Sequence, residues 1–321
     1  MQTTRIHFED TSFIDIRVSD IQTEEFRRWL RFANRNDTYS VPGLKRVIRR
    51  RDIARTEFIP DEDSAGGLRM KIAVVTGASS GIGRELVYAI DKEKKLDEIW
   101  VIARRADRLE ELRSKCRNQI RPLALDLVKD ESIAAYQALL EKEQPEIHLL
   151  VNAAGFGVFG PFAESDLQKV LDSARLNALA LTAMCHVSLP YMQKGDSIIN
   201  MGSNSAWQPV PYQTVYGASK SYVLNFSRAL GRELKKRKIH VMCVCPGWIK
   251  TEFQSVAEHD KYIRYVDRWY GPDEVAVQAM KDLKRKKTVS ILGEPVRRQV
   301  RLVKFLPVRY VMDTWCRQQG F

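Results

Sequence analysis

Lys71-Ile72-Ala73-Val74-Val75-Thr76-Gly77-Ala78-Ser79-Ser80-Gly81-Ile82-Gly83-Arg84-Glu85-Leu86-Val87 runs from an unbroken apolar segment, through a glycine-spaced turn, into an amphipathic segment that continues to Glu93. The apolar segment reads as a β-strand covered on both faces, and the amphipathic one as an α-helix. Glycine at 77, 81 and 83 removes the Cβ atoms that would block a tight turn and a close approach of backbone to a ligand. A strand that enters a helix through such a turn aims backbone N–H groups of the helix N-terminus at an anion, and a pyrophosphate fits there. Gly77, Ser79, Ser80, Gly81, Ile82 and Gly83 are therefore the expected diphosphate-binding residues of a dinucleotide site.

The same rhythm continues toward the C-terminus. "EIWVIARR" (98–105), "RPLALDL" (121–127), "HLLVNAAG" (148–155), "SIINMGS" (197–203) and "IHVMCVCPG" (239–247) read as further strands, and "TVSILG" (288–293) as a seventh. "DRLEELRSKC" (107–116) and "SIAAYQALLEKE" (132–143) read as helices between them. Continuous apolar strands alternating with amphipathic helices predict an α/β fold: a doubly wound, Rossmann-type parallel sheet of about seven strands. The reading places it in a single domain over 70–321, preceded by an N-terminal extension over 1–69.

The second strand ends Val101-Ile102-Ala103-Arg104-Arg105. An NAD-binding unit carries an acidic residue near this point for the ribose 2′-hydroxyl. None is present at the strand end, where two arginines stand instead, and a guanidinium suits a 2′-phosphate through charge and paired hydrogen bonds. NADP(H) is therefore the expected cofactor. Further on, Tyr216-Gly217-Ala218-Ser219-Lys220 opens a helical segment, and a spacing of four puts Tyr216 and Lys220 on one face. Free tyrosine, with a pKa of about 10, is a poor base near neutrality. A nearby ammonium and the positive charge of an oxidised nicotinamide favour the phenolate, and the expectation is a lowered pKa suited to general acid/base chemistry.

The leading threonine, the Gly-x-x-x-Gly-x-Gly spacing and the Tyr-x-x-x-Lys pair together resemble the short-chain dehydrogenase/reductase family, over Lys71 to about Asp282. The resemblance implies hydride transfer between a nicotinamide and a carbonyl or alcohol carbon, usually in a dimer or tetramer. It implies that Ser203 holds the substrate oxygen, with Ser205 as its rival, and that Asn177 bends its helix and anchors a proton-conducting water. Arg104 matches a residue that often contacts the 2′-phosphate. Asp126 and Leu127 would flank the adenine. Asn152 would stabilise the sheet centre, while Ala153 and Gly155 follow along the cofactor. The family's Asn-Asn-Ala-Gly is varied here, with Val151 and Ala153-Ala154 around Asn152. Pro246-Gly247-Trp248-Ile249-Lys250-Thr251 matches Pro-Gly-x-x-x-Thr, so Pro246, Gly247, Ile249 and Thr251 are expected at the nicotinamide. The competing reading is a non-catalytic NADPH-binding regulator or scaffold; the intact set Asn177, Ser203, Tyr216 and Lys220 favours an enzyme.

Specificity is expected in a lid over about 251–271, which carries Phe253, Tyr262, Tyr265, Trp269 and Tyr270 and suggests an apolar or bulky carbonyl or alcohol substrate. Trp207 and Tyr212 are expected to line the same pocket, and Glu258 and His259 to be solvated. Residues 294–321 mix cations with bulky apolar side chains. They read as two short amphipathic helices parted at Pro307, which either pack on the domain or on a second subunit, or dock on an anionic membrane surface.

Residues 1–69 lack the alternating rhythm. "TEEFRRWLRFA" (23–33) predicts one helix capped by Thr23, and "KRVIRRRDIAR" (45–55) is a basic run without a nucleic-acid motif, so no nucleic-acid partner is expected. The segment reads as a weakly ordered extension, with a small partner- or nucleic-acid-binding arm as the sharper alternative, or as lying upstream of a natural start at Met70, because Ala65-Gly66-Gly67 can be encoded by a purine-rich ribosome-binding sequence. The 321 residues carry a net charge of +12, which permits contact with phosphates or anionic lipid. Five scattered cysteines make a poor disulfide framework, and Cys243 and Cys245 read as core thiols rather than metal ligands. No metal is expected. No run of the signal-peptide kind and no span of about 18 uncharged apolar residues occurs, so the expected location is cytoplasmic.

Overall fold

Successive side chains of a strand point to opposite faces. In β1 (Lys71–Thr76) both sets are buried: Ile72 and Val74 on one side, Ala73 and Val75 on the other. Such a strand is stable only with a layer of helices on each face. The computed structural model describes residues 2–9, 13–18, 26, 28–29, 37–40, 47–59, 69–93, 95–257 and 259–321. In it, β1 is joined by β2 (Glu98–Ala103), β3 (Gln119–Ala124), β4 (Glu146–Asn152), β5 (Ser197–Met201), β6 (His240–Val244) and β7 (Val289–Ser290) in one parallel sheet. The order is β7-β6-β5-β4-β1-β2-β3. The chain winds outward in opposite directions from β1 and β4, and a crevice opens beyond their carboxyl ends. All seven expected strands are present.

On one face, α1 (Gly81–Glu93) and α7 (Pro272–Lys284) place Leu86, Val87, Ile90, Val275, Ala279 and Met280 against Ala73, Val75, Ile99 and Val151. On the other, α3 (Asp130–Glu143), α5 (Leu181–Ser188) and α6 (Thr214–Glu233) set Tyr136, Leu140, Met184, Val223 and Leu224 against Ile72, Val74, Trp100 and Ile198. The predicted helix 107–116 is shorter. α2 covers Ala106–Glu110, and the chain then tightens into three-residue turns, Arg113 N donating to Glu110 O at 3.0 Å and Lys115 N to Leu112 O at 3.1 Å. Three-residue spacing aligns Leu109 with Leu112, and both reach the core.

Met1–Leu68 and Arg69–Phe321 are separate compact units. In the first, Gln2–Phe8 pairs antiparallel with Phe13–Val18 and with Ile53–Ile59, and Thr38–Ser40 pairs with Val47–Arg49. Ile6, Phe8, Phe26, Ile48 and Ile53 form its apolar cluster. Phe26, Arg28 and Trp29 are helical; the expected cap Thr23 and the Ala65-Gly66-Gly67 stretch lie outside the described residues. Arg50, Arg51 and Asp52 of the basic run form a short turn between two strands. Among the described residues no helix is long and apolar enough to cross a membrane. All five cysteines are free thiols; Cys243 and Cys245 are buried with their sulfurs 3.6 Å apart.

Candidate active site

A cavity of about 620 Å³ opens at the carboxyl ends of the central strands. Its phosphate end is the turn between β1 and α1. Gly77 has φ +69°, and a Cβ there would stand 2.7 Å from the Ala154 backbone nitrogen. A Cβ on Gly83 would stand 2.3 Å from the Gly77 carbonyl oxygen. Gly77 therefore lets the turn lie against the end of β4, and Gly83 lets α1 close onto the turn. The Thr76 hydroxyl oxygen accepts from Ala153 N at 3.0 Å and Ala154 N at 3.1 Å, tying the two strand ends together. Ser79, Ser80, Gly81 and Ile82 line the space the glycines leave, which fits a pyrophosphate at a helix N-terminus.

Arg104, Arg105, Asp126 and Leu127 line the same cavity. Arg105 donates to the Ser79 hydroxyl at 3.1 Å and pairs with Glu252 at 2.8 Å. That pairing holds the Glu252 carboxyl below its usual range. Arg104 is exposed and has no acidic partner among the described residues. Glu252 carried no signal in the sequence, because only the fold brings it beside Arg105.

The reacting end is built on α6 and the end of β5. Tyr216 and Lys220 share a face of α6, as their spacing requires, and the Lys220 ammonium lies 5.6 Å from the centroid of the Tyr216 ring. Lys220 Nζ is buried and donates to the Met201 carbonyl at 2.8 Å. Burial lowers Lys220 to about 8, opposed by the neighbouring Cys243 and Cys245 thiols. The expected lowering of Tyr216 is corrected by the folded chain. Burial pushes its phenol up to about 12, the Ser203 hydroxyl opposes this, and Cys245 adds to it. Desolvation is the largest influence on the phenol. Ser203 is buried, donates to Asn204 Oδ1 at 3.2 Å and accepts from Ser205 N at 3.2 Å. Its rival Ser205 also lines the cavity, with a buried hydroxyl that has no hydrogen-bond partner among the described residues.

Asn177 does not line the cavity. It lies, fully buried, in a π-helical segment (Arg175–Ala180) between α4 (Leu167–Ala174) and α5. Its amide donates to Phe156 O at 2.9 Å, Ser219 Oγ at 3.1 Å and Ser173 Oγ at 3.3 Å, and its oxygen accepts from Phe156 N at 3.1 Å. Ser219 in turn donates to the Tyr216 carbonyl at 2.7 Å. Asn177 thus braces the start of α6 through Ser219, a residue the sequence did not mark. Gly155 serves this packing: a Cβ there would stand 2.6 Å from Asn177 Oδ1 and 3.4 Å from Lys220 Nζ.

Among the residues expected at the cofactor, Asn152 is the one that does not line the cavity. It points into the sheet centre and donates to Asn200 Oδ1 at 2.9 Å. Ala153, Gly155, Pro246, Gly247, Ile249 and Thr251 all line it. Thr251 N and Oγ1 donate to Gln254 Oε1 at 3.0 and 3.3 Å, which folds the start of the lid back on its loop.

The aromatic lid is only partly as expected. Phe253 lies 5.4 Å from the Tyr216 ring and 6.0 Å from Phe159, and Tyr265 also lines the cavity. Tyr270 is buried in the core instead, because the strand Trp269–Tyr270 pairs with Trp248–Ile249 and turns it inward. Tyr262 covers Gly160, where a Cβ would stand 2.7 Å from its ring. Trp207 lies under Arg228 and Lys304, and Tyr212 stacks on Phe321 at 3.5 Å, so neither lines the cavity. Glu258 lies outside the described residues. In their place Phe156, Phe159, Trp248 and Trp315 supply apolar wall.

A family model for short chain dehydrogenase matches residues 71–261. The NADP-dependent 3-hydroxy acid dehydrogenase of Schizosaccharomyces pombe is 32% identical over 196 residues, which cover 59% of this chain and 75% of that protein. A solved short-chain dehydrogenase from Sphingobium yanoikuyae in complex with NADPH superposes with TM-score 0.62 at 25% identity, covering 74% of this chain and 96% of that one. One from Burkholderia phymatum in complex with NAD shares the fold, with TM-score 0.63 at 20% identity over 73% and 92% of the two chains. This chain belongs to the short-chain dehydrogenase/reductase family. It is an oxidoreductase whose fold binds a nicotinamide cofactor.

Proposed function

We propose that this chain transfers hydride between NADP(H) and a carbonyl or secondary-alcohol carbon of an apolar or bulky substrate, with Tyr216 as general acid/base. The observation that carries the reading is the meeting, in one cavity, of Tyr216, Ser203 and Lys220 with an arginine, Arg104, that has no acidic partner among the described residues. When bound, the nicotinamide supplies or accepts the hydride. Tyr216, protonated throughout the neutral range, donates its proton to the carbonyl oxygen in the reductive direction. Ser203 holds that oxygen by a hydrogen bond, and Lys220 fixes the charge beside the phenol. Arg105 is committed to Glu252 and Ser79, which leaves Arg104 as the guanidinium for a 2′-phosphate. Phe156, Phe159, Phe253 and Trp315 favour an apolar substrate. Exposed Leu167, Leu171, Leu179 and Tyr222 on α4, the π-helical segment and α6 support assembly into a homo-oligomer.

The test is NADPH and NADH oxidation against a panel of ketones and aldehydes, with wild type, Tyr216→Phe and Arg104→Ala side by side. Tyr216→Phe is expected to lower kcat by about 10²–10⁴-fold and to leave NADPH binding in place. Arg104→Ala is expected to weaken NADPH by about ten-fold or more and to spare NADH. Turnover that survives Tyr216→Phe removes that hydroxyl from the reaction. Equal loss of both nicotinamides in Arg104→Ala removes the 2′-phosphate contact.

A further inference from the structure

The tail forms two helices, α8 (Glu294–Leu302) and α9 (Val308–Gln319), separated at Pro307. Each helix has an inward side: Val296, Val300 and Val311 are buried, and Gln299, Trp315 and Gln318 line the cavity. The elbow between them turns the other way. Leu302, Phe305, Val308 and Tyr310 are 58%, 85%, 55% and 54% exposed, and Phe305 is the most exposed large apolar side chain among the described residues. No core packing explains four bulky apolar side chains in nine residues facing water.

Charge indicates what covers them. Residues 294–321 contain six cations and two acids. Glu294 is taken by Arg297 and Arg298, and Asp313 reaches Arg309 at 3.9 Å. Arg301 and Lys304, interleaved with Leu302 and Phe305, have no acidic partner among the described residues; Lys304 rests over the Trp207 ring at 4.3 Å. We propose that the elbow Leu302–Tyr310 docks on an anionic lipid bilayer, the apolar tip entering the headgroup boundary and the flanking cations meeting the phosphates. Apolar side chains ringed by Lys and Arg are the chemistry of an interfacial segment. A second copy of the chain fits the face less well, because an isologous contact brings Arg301 and Lys304 of both copies into one patch with no unpaired acid to answer them. The same two helices contribute Gln299, Trp315 and Gln318 to the cavity wall, but the docking rests on the exposed surface alone and not on the function proposed above.

The experiment is co-sedimentation of the full chain with vesicles of phosphatidylcholine containing about a third phosphatidylglycerol, and with pure phosphatidylcholine. It is run with wild type, Leu302→Ser/Phe305→Ser and Arg301→Gln/Lys304→Gln, each checked for folding by circular dichroism and for mass by sedimentation velocity. Wild type is expected on the anionic vesicles, less so as salt rises. The apolar variant is expected to lose at least about ten-fold in partition. The charge variant is expected to lose about five-fold per cation removed. Partition equal to wild type in both folded variants overturns the proposal. So does a folded wild type that ignores anionic vesicles, and so does a dimer that the apolar variant converts to monomer with vesicle partition unchanged. None of these readouts depends on turnover, so failure here leaves the hydride-transfer reading standing.

Discussion

At the level of single side chains the site is governed by desolvation. Lys220 is buried and donates to a carbonyl, and desolvation holds its ammonium at about 8 rather than 10.5. Two opposite pH effects follow. A lysine whose folded pKa lies below its unfolded value binds fewer protons in the native state between about 8 and 10.5, so its contribution to stability improves as pH rises through that window. The same rise removes the positive charge beside Tyr216. Reductive kcat/KM is therefore expected to be level below pH 8 and to fall above it, while the stability difference between wild type and Lys220→Met shifts in favour of wild type. A pH–rate profile and denaturant unfolding across pH check both signs. A rate profile that stays level to about pH 10 denies Lys220 this role. Much of this site was readable in advance, because residues four apart on a helix must share a face. The direction of the Tyr216 shift was not, because it depends on how much water the folded chain excludes.

Elements show where local pattern stops being informative. The lid is held by a helix about fifty residues further along the chain. Gln319, buried at the end of α9, accepts from Arg264 N at 2.9 Å and Tyr265 N at 3.0 Å and donates to the Tyr265 carbonyl at 3.1 Å. Trp315 of the same helix donates to the Pro211 carbonyl at 3.0 Å. Gln319→Ala leaves two backbone amides and a carbonyl without this partner, a cost of about 1–3 kcal/mol. The expected result is a Tm lower by roughly 2–10 °C and a KM that rises more than kcat falls. Thermal unfolding and steady-state kinetics measure it; an unchanged KM would mean that the lid does not depend on this clamp. Nothing around Gln319 in the sequence marks the contact, since its partners are set by the path of the lid. The π-helical turn at Asn177 is similar. The residue type was legible from the resemblance, but the bracing of Ser219 and Phe156 is visible only once α4 and α6 are packed side by side.

The whole molecule divides at residue 69. Arg69–Phe321 contains the entire seven-stranded sheet, both of its apolar cores and every residue of the candidate site. Met1–Leu68 has its own small cluster around Ile6, Phe26 and Ile48. A chain beginning at Met70 is therefore expected to fold and to bind NADPH like the full chain. Calorimetry and NADPH titration on the two lengths check this. A loss of more than about ten-fold in affinity, equivalent to 1.4 kcal/mol, would make the first 69 residues part of the working unit.

The order of strands and helices, the glycine turn and the Tyr216–Lys220 pair were determined by the sequence alone, because hydrophobic period, missing Cβ atoms and helical spacing act between near neighbours. Only the tertiary structure decided that Glu252 takes Arg105, that Tyr270 and Trp207 leave the pocket wall while Trp315 joins it, and that Phe305 faces water. Each of these depends on contacts between segments far apart in the chain, or on which surface the packed layers leave uncovered. No local pattern encodes either one.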